Sequence, residues 1–567
     1  MERNPLNLPE ILEVISQYLW RPDRARCLLV SRLFYSVMVP RVWRKIVLEP
    51  PTPSYRGSIA MLLRSELPKP SYPTGEALEH HKHHIQELEF RGEYPSEYFS
   101  LVGCSQLRTL GLSSWILTEH LPADKAIEKM NPAVMGLARL AAVHALNIRQ
   151  VSICLTKDPM LTVTEGLWSA LVQCSELEQL LLKNLTVPNE CNSSFFKVCE
   201  NVSSLSLISV KIPSVPNKAI DISEGIRTID IENNANGNDD TGNFTLQGPR
   251  TITIVGPPYL QLMTLRTHQI DPKMVRACIH LESMTWRQHA EMGTGLESIP
   301  DWDDAPFCND LSANPWPFSR LVSLDLSWTM VHDEALARVL SQLHKLKTLR
   351  AIRTGFGRAS LHQLFAERWT SSGESADRLC DSIETLVVDM CTNLTGAMIQ
   401  TILSSCRNLV VFSADKISIE DIARGKEWIC TELQELRFFL SAEVHSSYQD
   451  SSPMTENLRM QRAAFAQLGQ LTRLRILYLT YIRRSERTRM KTLHLRVESG
   501  LELLTGLKYL RELYFQGDDS QKLGVEEAAW MVENWPQLRK LRGSVNEDLR
   551  VLEQMKSVLF ARQISFH

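Results

Sequence analysis

The stretches CRNLVVFSA at 406–414 and CTELQELRF at 430–438 follow one pattern. Each begins with cysteine, has an apolar residue three positions later, and then has apolar residues at alternating positions. This alternation predicts a short β-strand with one buried face. Seven of the twelve cysteines occupy this position. Besides Cys406 and Cys430, they are Cys104, Cys174, Cys199, Cys278 and Cys380.

The same frame, approximately L-x-x-L-x-L, recurs without cysteine and is typical of the strand half of a leucine-rich repeat. Further examples are HHIQELEF at 83–90, EGIRTIDI at 224–231, SRLVSLDL at 319–326, HKLKTLRA at 344–351, TRLRILYL at 472–479, KYLRELYF at 508–515 and PQLRKLRG at 536–543. Ile383, Leu409 and Leu433 lie 26 and 24 residues apart, within the period of such repeats. The intervals from 107 to 148 and from 433 to 474 are longer, and indicate either a degenerate repeat or an inserted segment.

Helical patterns separate the strand frames. HDEALARVLSQLHKL at 332–346 has apolar residues at helical spacing, and Thr395 is a suitable N-cap for the helix that follows it. The fold class predicted is therefore α/β: a curved leucine-rich-repeat solenoid with parallel strands on the concave side and helices on the convex side. Other repeats place Phe318, Leu343, Leu471, Leu507 or Trp535 where cysteine stands.

The recurring cysteine is thus interpreted as a small buried apolar residue rather than a metal or redox ligand. Neighbouring thiols are one repeat apart, whereas a metal site requires ligands close together. HHKHH at 80–84 lacks further ligands at suitable spacing. We expect no metal, no cofactor and no catalytic residues, because no nucleophile–base or phosphate-binding motif is visible.

Composition limits the remaining classes of function. The net charge of −3 gives no global electrostatic reason for binding nucleic acid or a membrane surface. No apolar run is long enough to span a bilayer, and the N-terminus lacks the apolar core of a secretory signal. We expect an intracellular protein, in the cytoplasm, the nucleus or both.

The first fifty residues differ from the repeats. Pro9 and Glu10 favour a helix start, and Ile11, Ile15 and Leu19 recur every four residues. Three short helices of this size bury little surface alone and favour a partner. A cap that covers the first repeat is the alternative. The proline-bearing stretch at 49–55 predicts a spacer and argues against such a cap.

This region resembles an F-box. LPEI at 8–11 matches the opening element of the family, VSR at 30–32 its central element, and Trp43 its closing aromatic, whereas Phe34 stands where the family usually has tryptophan. With the repeats, the chain resembles F-box/leucine-rich-repeat proteins of fungal type, the substrate receptors of SCF ubiquitin ligases. The domains expected are an F-box helical domain at 1–48, a linker and lead-in at 49–84, and a repeat solenoid with inserted loops at 85–567.

The resemblance implies a non-catalytic subunit that docks on a Skp-family adaptor, and through it on a cullin, while the repeats hold an unknown protein substrate. A leucine-rich-repeat scaffold without ligase association remains the alternative. The resemblance and the apolar pattern assign the adaptor interface to Leu8, Pro9, Ile11, Ile15, Leu19, Leu28, Val30, Phe34 and Trp43.

Residues that flank the last two apolar positions of each frame should face the concave side. The substrate surface is accordingly assigned to Asp325, Arg350, Arg437, Phe439, Tyr478 and Tyr514. Ordinary solvent-exposed decoration of the strands is the alternative at each position. The basic stretch at 481–496 is a candidate for binding acidic or phosphorylated segments, although a solvated loop between repeats is the favoured interpretation.

Overall fold

The computed structural model describes residues 8–48, 73–91, 98–99, 101–113, 123–155, 161–163, 165–208, 210, 212, 251–255, 281–287, 320–329, 331–369, 375–376, 378–442, 453–480, 491–515, 521–543, 546 and 548–566. The chain divides into two compact units. The first comprises Met1–Pro257 and Gln261–Leu281, and the second comprises Pro258–Leu260 and Glu282–His567.

The first unit opens with the three helices that the sequence predicts. These are α1 (Pro9–Tyr18), α2 (Arg21–Cys27) and α3 (Arg32–Trp43). Pro9 stands at the first turn of α1, as expected, because its missing N–H is not needed there. Ser31 caps α3: its hydroxyl accepts a hydrogen bond from the Phe34 backbone N–H at 3.2 Å.

Repeats follow these helices in the first unit. Its other helices are α4 (Gly75–His81), α5 (Ala123–Val143), α6 (Glu165–Val172) and α7 (Asn192–Asn201), with 3-10 turns at Lys82–His84 and Asn189–Cys191. Its strands are β1 (Lys45–Leu48), β2 (Glu87–Arg91), β3 (Thr109–Ser113), β4 (Gln150–Cys154), β5 (Leu161–Thr162), β6 (Gln179–Lys183), β7 (Leu185–Thr186), β8 (Ser204–Ile208) and β9 (Thr251–Val255).

The main sheet of the first unit is wholly parallel. Its order is β1-β2-β3-β4-β6-β8-β9, and β5 pairs separately with β7. The register places one apolar residue of each strand frame in a common interior row, in which each of the following is buried: Leu88, Leu110, Val151, Leu180 and Leu205. This row is the core that the strand frame predicts.

The second unit repeats this architecture. Its helices are α8 (Asp333–Gln342), α9 (Arg358–Phe365), α10 (Leu379–Ser382), α11 (Gly396–Leu403), α12 (Ile419–Arg424), α13 (Pro453–Gly469), α14 (Val525–Asn534) and α15 (Leu549–Phe560), with 3-10 turns at Val497–Ser499 and Leu501–Gly506. Its strands are β10 (Ser283–Arg287), β11 (Ser323–Asp325), β12 (Thr348–Arg350), β13 (Arg368–Trp369), β14 (Ser375–Ala376), β15 (Thr385–Val388), β16 (Val411–Ser418), β17 (Glu435–Ser441), β18 (Ile476–Tyr478), β19 (Glu512–Tyr514), β20 (Lys540–Arg542) and β21 (Ser565–Phe566).

The sheet of the second unit is also parallel, in the order β10-β11-β12-β15-β16-β17-β18-β19-β20-β21, while β13 and β14 form a separate antiparallel pair. Its buried interior row contains Met284, Leu324, Leu349, Leu386, Phe412, Leu436, Leu477, Leu513 and Leu541. Both units are thus leucine-rich repeats, which confirms the predicted fold class. Thr395 caps α11, as expected, by accepting from the Met398 backbone N–H.

The strand pairing decides what the two long intervals contain. Strand β3 pairs directly with β4, and β17 pairs directly with β18. Helix α5 occupies part of the first interval and α13 part of the second. Both intervals are therefore repeats with long helical segments, with no extra strand inserted in either ladder.

Three sequence assignments need comment. The stretch TITIV at 251–255 forms β9, which the L-x-x-L-x-L frame did not identify because it lacks the preceding apolar position. The frame EGIRTIDI at 224–231 lies outside the described residues. Strand β1 lies within the range predicted as the helical domain, yet it pairs with β2 of the first repeat. The predicted domain bounds otherwise stay a prediction.

The recurring cysteine position is interior, as predicted. Its described members are buried cysteines outside any disulfide: Cys104, Cys174, Cys199, Cys380, Cys406 and Cys430. Burial raises the pKa of Cys174 to about 11 and that of Cys430 to about 12. Cys278 and Phe318 lie outside the described residues, whereas Leu343, Leu471, Leu507 and Trp535 are equally buried. The shared property of the position is therefore burial.

Candidate protein-interaction surfaces

Helices α1, α2 and α3 enclose a small interior of their own. Helices α1 and α2 both pack against α3. Leu12 of α1 and Met38 and Val39 of α3 are buried. Glu13 of α1 and Arg41 of α3 form an ion pair at 2.6 Å between the two helices.

The structure divides the predicted adaptor residues by exposure. Leu8, Pro9 and Val30 are exposed. The other six are half-buried: Ile11, Ile15, Leu19, Leu28, Phe34 and Trp43. A stripe with a four-residue period must contribute to the interior of a three-helix unit before it can contribute to a partner. The half-buried residues therefore contribute mainly to packing among the helices, and only part of each side chain remains accessible to a partner.

The sequence reasoning named only Val30 from a larger set of exposed apolar residues. Tyr18 is 81% exposed, Trp20 80%, Leu29 90% and Val30 63%. Val14 and Tyr35 are also exposed. Trp20 lies between α1 and α2, and Leu29 and Val30 lie between α2 and α3. These six residues are called the exposed apolar set below. The signal available in the sequence was the position of large apolar residues in the turns between the helices.

Trp43 faces the first repeat. Its ring stacks on that of His81, with ring centroids 4.4 Å apart and an interplanar angle of 29°. His81 and its neighbours in HHKHH are close in space, and burial followed by the charges of nearby histidines lowers the pKa of His81. The helical segment therefore covers part of the first repeat through α3 and β1 and still leaves apolar side chains exposed.

The second surface is the outer face of the strands in the second unit. The strand register aligns one outward residue per strand in a row that we call the central row: Asp325, Arg350, Val387, Ser413, Arg437, Tyr478, Tyr514 and Arg542. Five of the six residues predicted from the strand frame lie in this row. The sixth, Phe439, follows Arg437 on β17, and the Lys416 ammonium lies 5.6 Å from its ring centroid.

Two tyrosines form the middle of a stack of four side chains, which we call the ladder: Arg437, Tyr478, Tyr514 and Arg542. The rings of Tyr478 and Tyr514 are parallel within 3°, with centroids 3.9 Å apart. The Arg437 guanidinium lies 4.7 Å from the Tyr478 ring, and that of Arg542 lies 5.6 Å from the Tyr514 ring. Each arginine is thus held against an aromatic face by a cation–π contact. Arg542 was absent from the sequence prediction, although PQLRKLRG places it at the same position of the frame.

Carboxylates border the ladder on the amino side of the strands. Glu435 contacts Arg437 Nε at 2.5 Å, and Glu512 contacts Lys540 Nζ at 3.0 Å. The Tyr514 hydroxyl donates to Glu512 Oε2 at 2.5 Å. Burial and this hydrogen bond to a carboxylate both raise the pKa of Tyr514, so the phenol remains protonated at neutral pH.

Two buried carboxyl groups lie in or beside the remainder of the central row. Asp325 is 4% exposed, and its Oδ1 accepts from the Ser327 backbone N–H at 3.0 Å. Its principal visible role is therefore within the turn, and it offers a partner little surface. Asp389, next to the row, accepts the Ser413 hydroxyl at 2.8 Å. Burial raises the pKa of Asp389 to about 6, while Ser413, Arg437 and Arg350 oppose that rise.

Some predicted features cannot be placed. Residues 481–490 of the basic stretch lie outside the described residues, while Lys491 and Arg496 lie within them. Across the described ranges, no group of three or more His, Cys, Asp and Glu side chains has the arrangement of a metal site. Among the same residues, no helix has both the length and the apolar character needed to cross a membrane.

Comparison with known proteins finds similarity only at the level of structure. No protein-family model and no curated protein matches the sequence. A leucine-rich-repeat protein of Leptospira interrogans is 14% identical, with 90% of this chain and 99% of the other covered and a TM-score of 0.37. An internalin of Listeria monocytogenes is 12% identical, with 90% and 92% covered and a TM-score of 0.32.

A third solved structure is the complex of Rad7 and Elc1 in yeast, in which the matched chain is 14% identical, with 69% of this chain and 78% of the other covered and a TM-score of 0.35. Similarity at this level is too low to transfer a partner or an activity. The repeat architecture itself is established by the parallel register and the interior rows described above.

Proposed function

We propose that the protein is the substrate-recognition subunit of an SCF-type cullin–RING ubiquitin ligase. In this role, the helices α1, α2 and α3 dock on a Skp-family adaptor, and the outer strand face of the second unit holds a protein substrate. The subunit itself catalyses no bond change. It raises the effective concentration of substrate lysines near a ubiquitin thioester bound elsewhere in the assembly.

The exposed apolar set is the observation that carries this proposal. Large aromatic and aliphatic side chains are normally the anchors of a protein interface, and they cost solvation free energy when they remain in water. Here Tyr18, Trp20 and Leu29 are all at least four-fifths exposed within one short helical segment. The same segment contains the LPEI and VSR elements that resemble an F-box. A simple cap on the first repeat gives no reason for this exposure.

The interior of the segment supports the same function. Leu12, Met38 and Val39 are buried, and the ion pair between Glu13 and Arg41 joins α1 to α3. The exposed side chains are therefore presented by helices whose packing is already satisfied. Such preorganisation lowers the entropic cost of association.

Binding of a purified Skp-family adaptor to the full chain tests the proposal. Leu29→Asp should weaken adaptor binding by about 2 kcal/mol or more, since it places a charge in the centre of an apolar interface. Leu146→Asp is the matched control, because Leu146 is 78% exposed but lies between α5 and β4. Calorimetric titration of wild type and both variants measures the difference.

The proposal fails if the wild-type chain does not bind the adaptor, or if both variants bind as wild type does. Substrate binding that persists without any adaptor binding would identify a leucine-rich-repeat scaffold instead.

A further inference from the structure

Three arginines are evenly spaced along the central row. Arg350 lies on β12, Arg437 on β17 and Arg542 on β20, and the register separates each neighbouring pair by three strand-to-strand steps. Adjacent strands in a sheet are about 4.8 Å apart, so each pair of arginine Cα atoms is about 14 Å apart. All three belong to the second unit.

An extended peptide that crosses these strands has a matching repeat. Extended chain advances about 3.4 Å per residue, so four residues cover about 14 Å. Side chains of an extended chain alternate between its two faces, and residues i and i+4 therefore point the same way. A peptide with acidic residues four apart can thus place each carboxylate over one arginine.

The ladder holds two of these arginines in position. Arg437 and Arg542 lie against the outer faces of the stacked Tyr478 and Tyr514 rings. A guanidinium fixed on an aromatic ring loses less conformational entropy when it binds an anion. Glu435 contacts Arg437 through Nε, and a guanidinium carries five N–H donors, so this ion pair uses only part of its capacity.

The interval between Arg350 and Arg437 differs, because it is occupied by Val387 and Ser413, both of which are buried. The ligand chain can therefore approach the sheet more closely in this interval than over the tyrosine rings. Asp389 lies beside it, buried and hydrogen-bonded to Ser413, and interacts electrostatically with both arginines.

Three of the carboxylates near the row are already buried or paired with basic side chains. Asp325 is buried and bonded within its own turn. Glu435 and Glu512 stand one row away, on the amino side, where they pair with Arg437 and Lys540. Along the central row itself, the charged side chains that are not buried are the three arginines.

We propose that the central row binds an extended acidic segment of a partner protein, which crosses the strands with carboxylate side chains at positions i, i+4 and i+8 against Arg542, Arg437 and Arg350 or in the reverse order. In the order that begins at Arg542, the residue at i+2 lies over the strands of Tyr478 and Tyr514. This inference deepens the proposed function, because it defines the chemical class of substrate.

Synthetic peptides test the inference on the full chain without any adaptor. The probe is a fluorescein-labelled peptide with glutamates at i, i+4 and i+8 in a Gly-Ser background. Its control has the same composition with glutamates three residues apart. Fluorescence polarisation should show at least roughly threefold tighter binding of the first peptide, and binding that weakens as salt is raised from 50 to 500 mM, since misplaced carboxylates lose charge-assisted contacts.

Arginine variants then locate the site. Arg437→Gln should weaken binding of the first peptide roughly tenfold, as expected for one lost charge-assisted hydrogen-bond pair. Arg473→Gln is the matched control, because Arg473 is also exposed and paired with a glutamate, Glu432, but lies outside the row. Arg542→Gln provides an independent second variant at the opposite end of the ladder.

Equal affinity for the two peptides, undetectable binding of both, or equal loss in Arg437→Gln and Arg473→Gln would each overturn the inference. Because these measurements need no adaptor, their failure would leave the proposed adaptor interface to be judged by its own titration. Conversely, failure of adaptor binding would leave the peptide result intact.

Discussion

The two units have the same kind of interior row and differ on the outer face of their strands. In the first unit, the row equivalent to the central row contains Val47, Glu89, Gly111, Ser152, Leu181, Ser206 and Thr253. In the second unit, arginines and stacked tyrosines occupy it. The interior rows are determined by the fold, whereas the outer rows are free to vary. Function should therefore be sought where an outer row concentrates arginine and aromatic side chains, as it does in the second unit.

The largest expected effect comes from the interior rows, where the units should behave alike. Leu110→Ala in the first unit and Leu477→Ala in the second should each lower the free energy of unfolding by about 2–5 kcal/mol, because both leave a cavity in a fully buried row. Urea unfolding measures both. If one substitution were nearly neutral, the claim that the two units share the same kind of core would be wrong.

The buried carboxyl group of Asp389 gives the second unit a specific pH dependence. Its pKa is raised to about 6, so the folded chain binds its proton more tightly than the unfolded chain. The resulting stabilisation is fully present below the usual aspartate pKa and is lost as pH rises through 6. Relative to Asp389→Asn, wild type should therefore lose up to about 3 kcal/mol between pH 3.5 and pH 7.5. A pH-independent difference between the two proteins would contradict this account of the burial.

The cysteine position should tolerate an apolar replacement better than a polar one. Cys430→Ser places a hydroxyl in an apolar site and should cost about 1–3 kcal/mol. Cys430→Ala should lose stability only through the smaller volume. Cys27→Ser, at a half-buried thiol outside the repeats, is the control and should be nearly neutral. Equal effects of the two serine substitutions in urea unfolding would refute the interpretation of Cys430 as interior filler.

The smallest expected effect is a coupling energy between neighbouring side chains of the outer row, which should differ between the two units. A double-mutant cycle on Tyr478→Ala and Tyr514→Ala should give a coupling energy of about 0.5–1.5 kcal/mol, typical of a stacked aromatic pair. The matched cycle on Ser152→Ala and Leu181→Ala, on adjacent strands of the first unit, should give a coupling close to zero. Similar coupling in both cycles would remove the distinction between the two outer faces.

Much of the fold was predictable because apolar residues at alternating positions, repeated many times along the chain, indicate a series of short strands with one buried face. The interior leucines, the buried thiols and the Thr395 cap all follow from local patterns. Strand β9 was missed because one apolar position of its frame is absent. Whether the long intervals held a hidden strand could be decided only from strand pairing.

The candidate sites were predictable to different degrees. The strand frame placed Arg437, Tyr478 and Tyr514 correctly on one face, but their stacking requires three-dimensional register that no single frame contains. The helical surface was harder. A stripe such as Ile11 and Ile15 satisfies the interior first, so the exposed apolar residues are found at other positions, including Trp20 and Leu29 between the helices.

Hydrogen–deuterium exchange of the full chain, with and without a Skp-family adaptor, tests the central claim most directly. That claim assigns the two partners to separate surfaces. Adaptor binding should slow exchange in peptides covering residues 8–43 and leave those covering β17, β18 and β19 unchanged. Protection confined to the strands of the second unit, or no protection at residues 8–43, would contradict it.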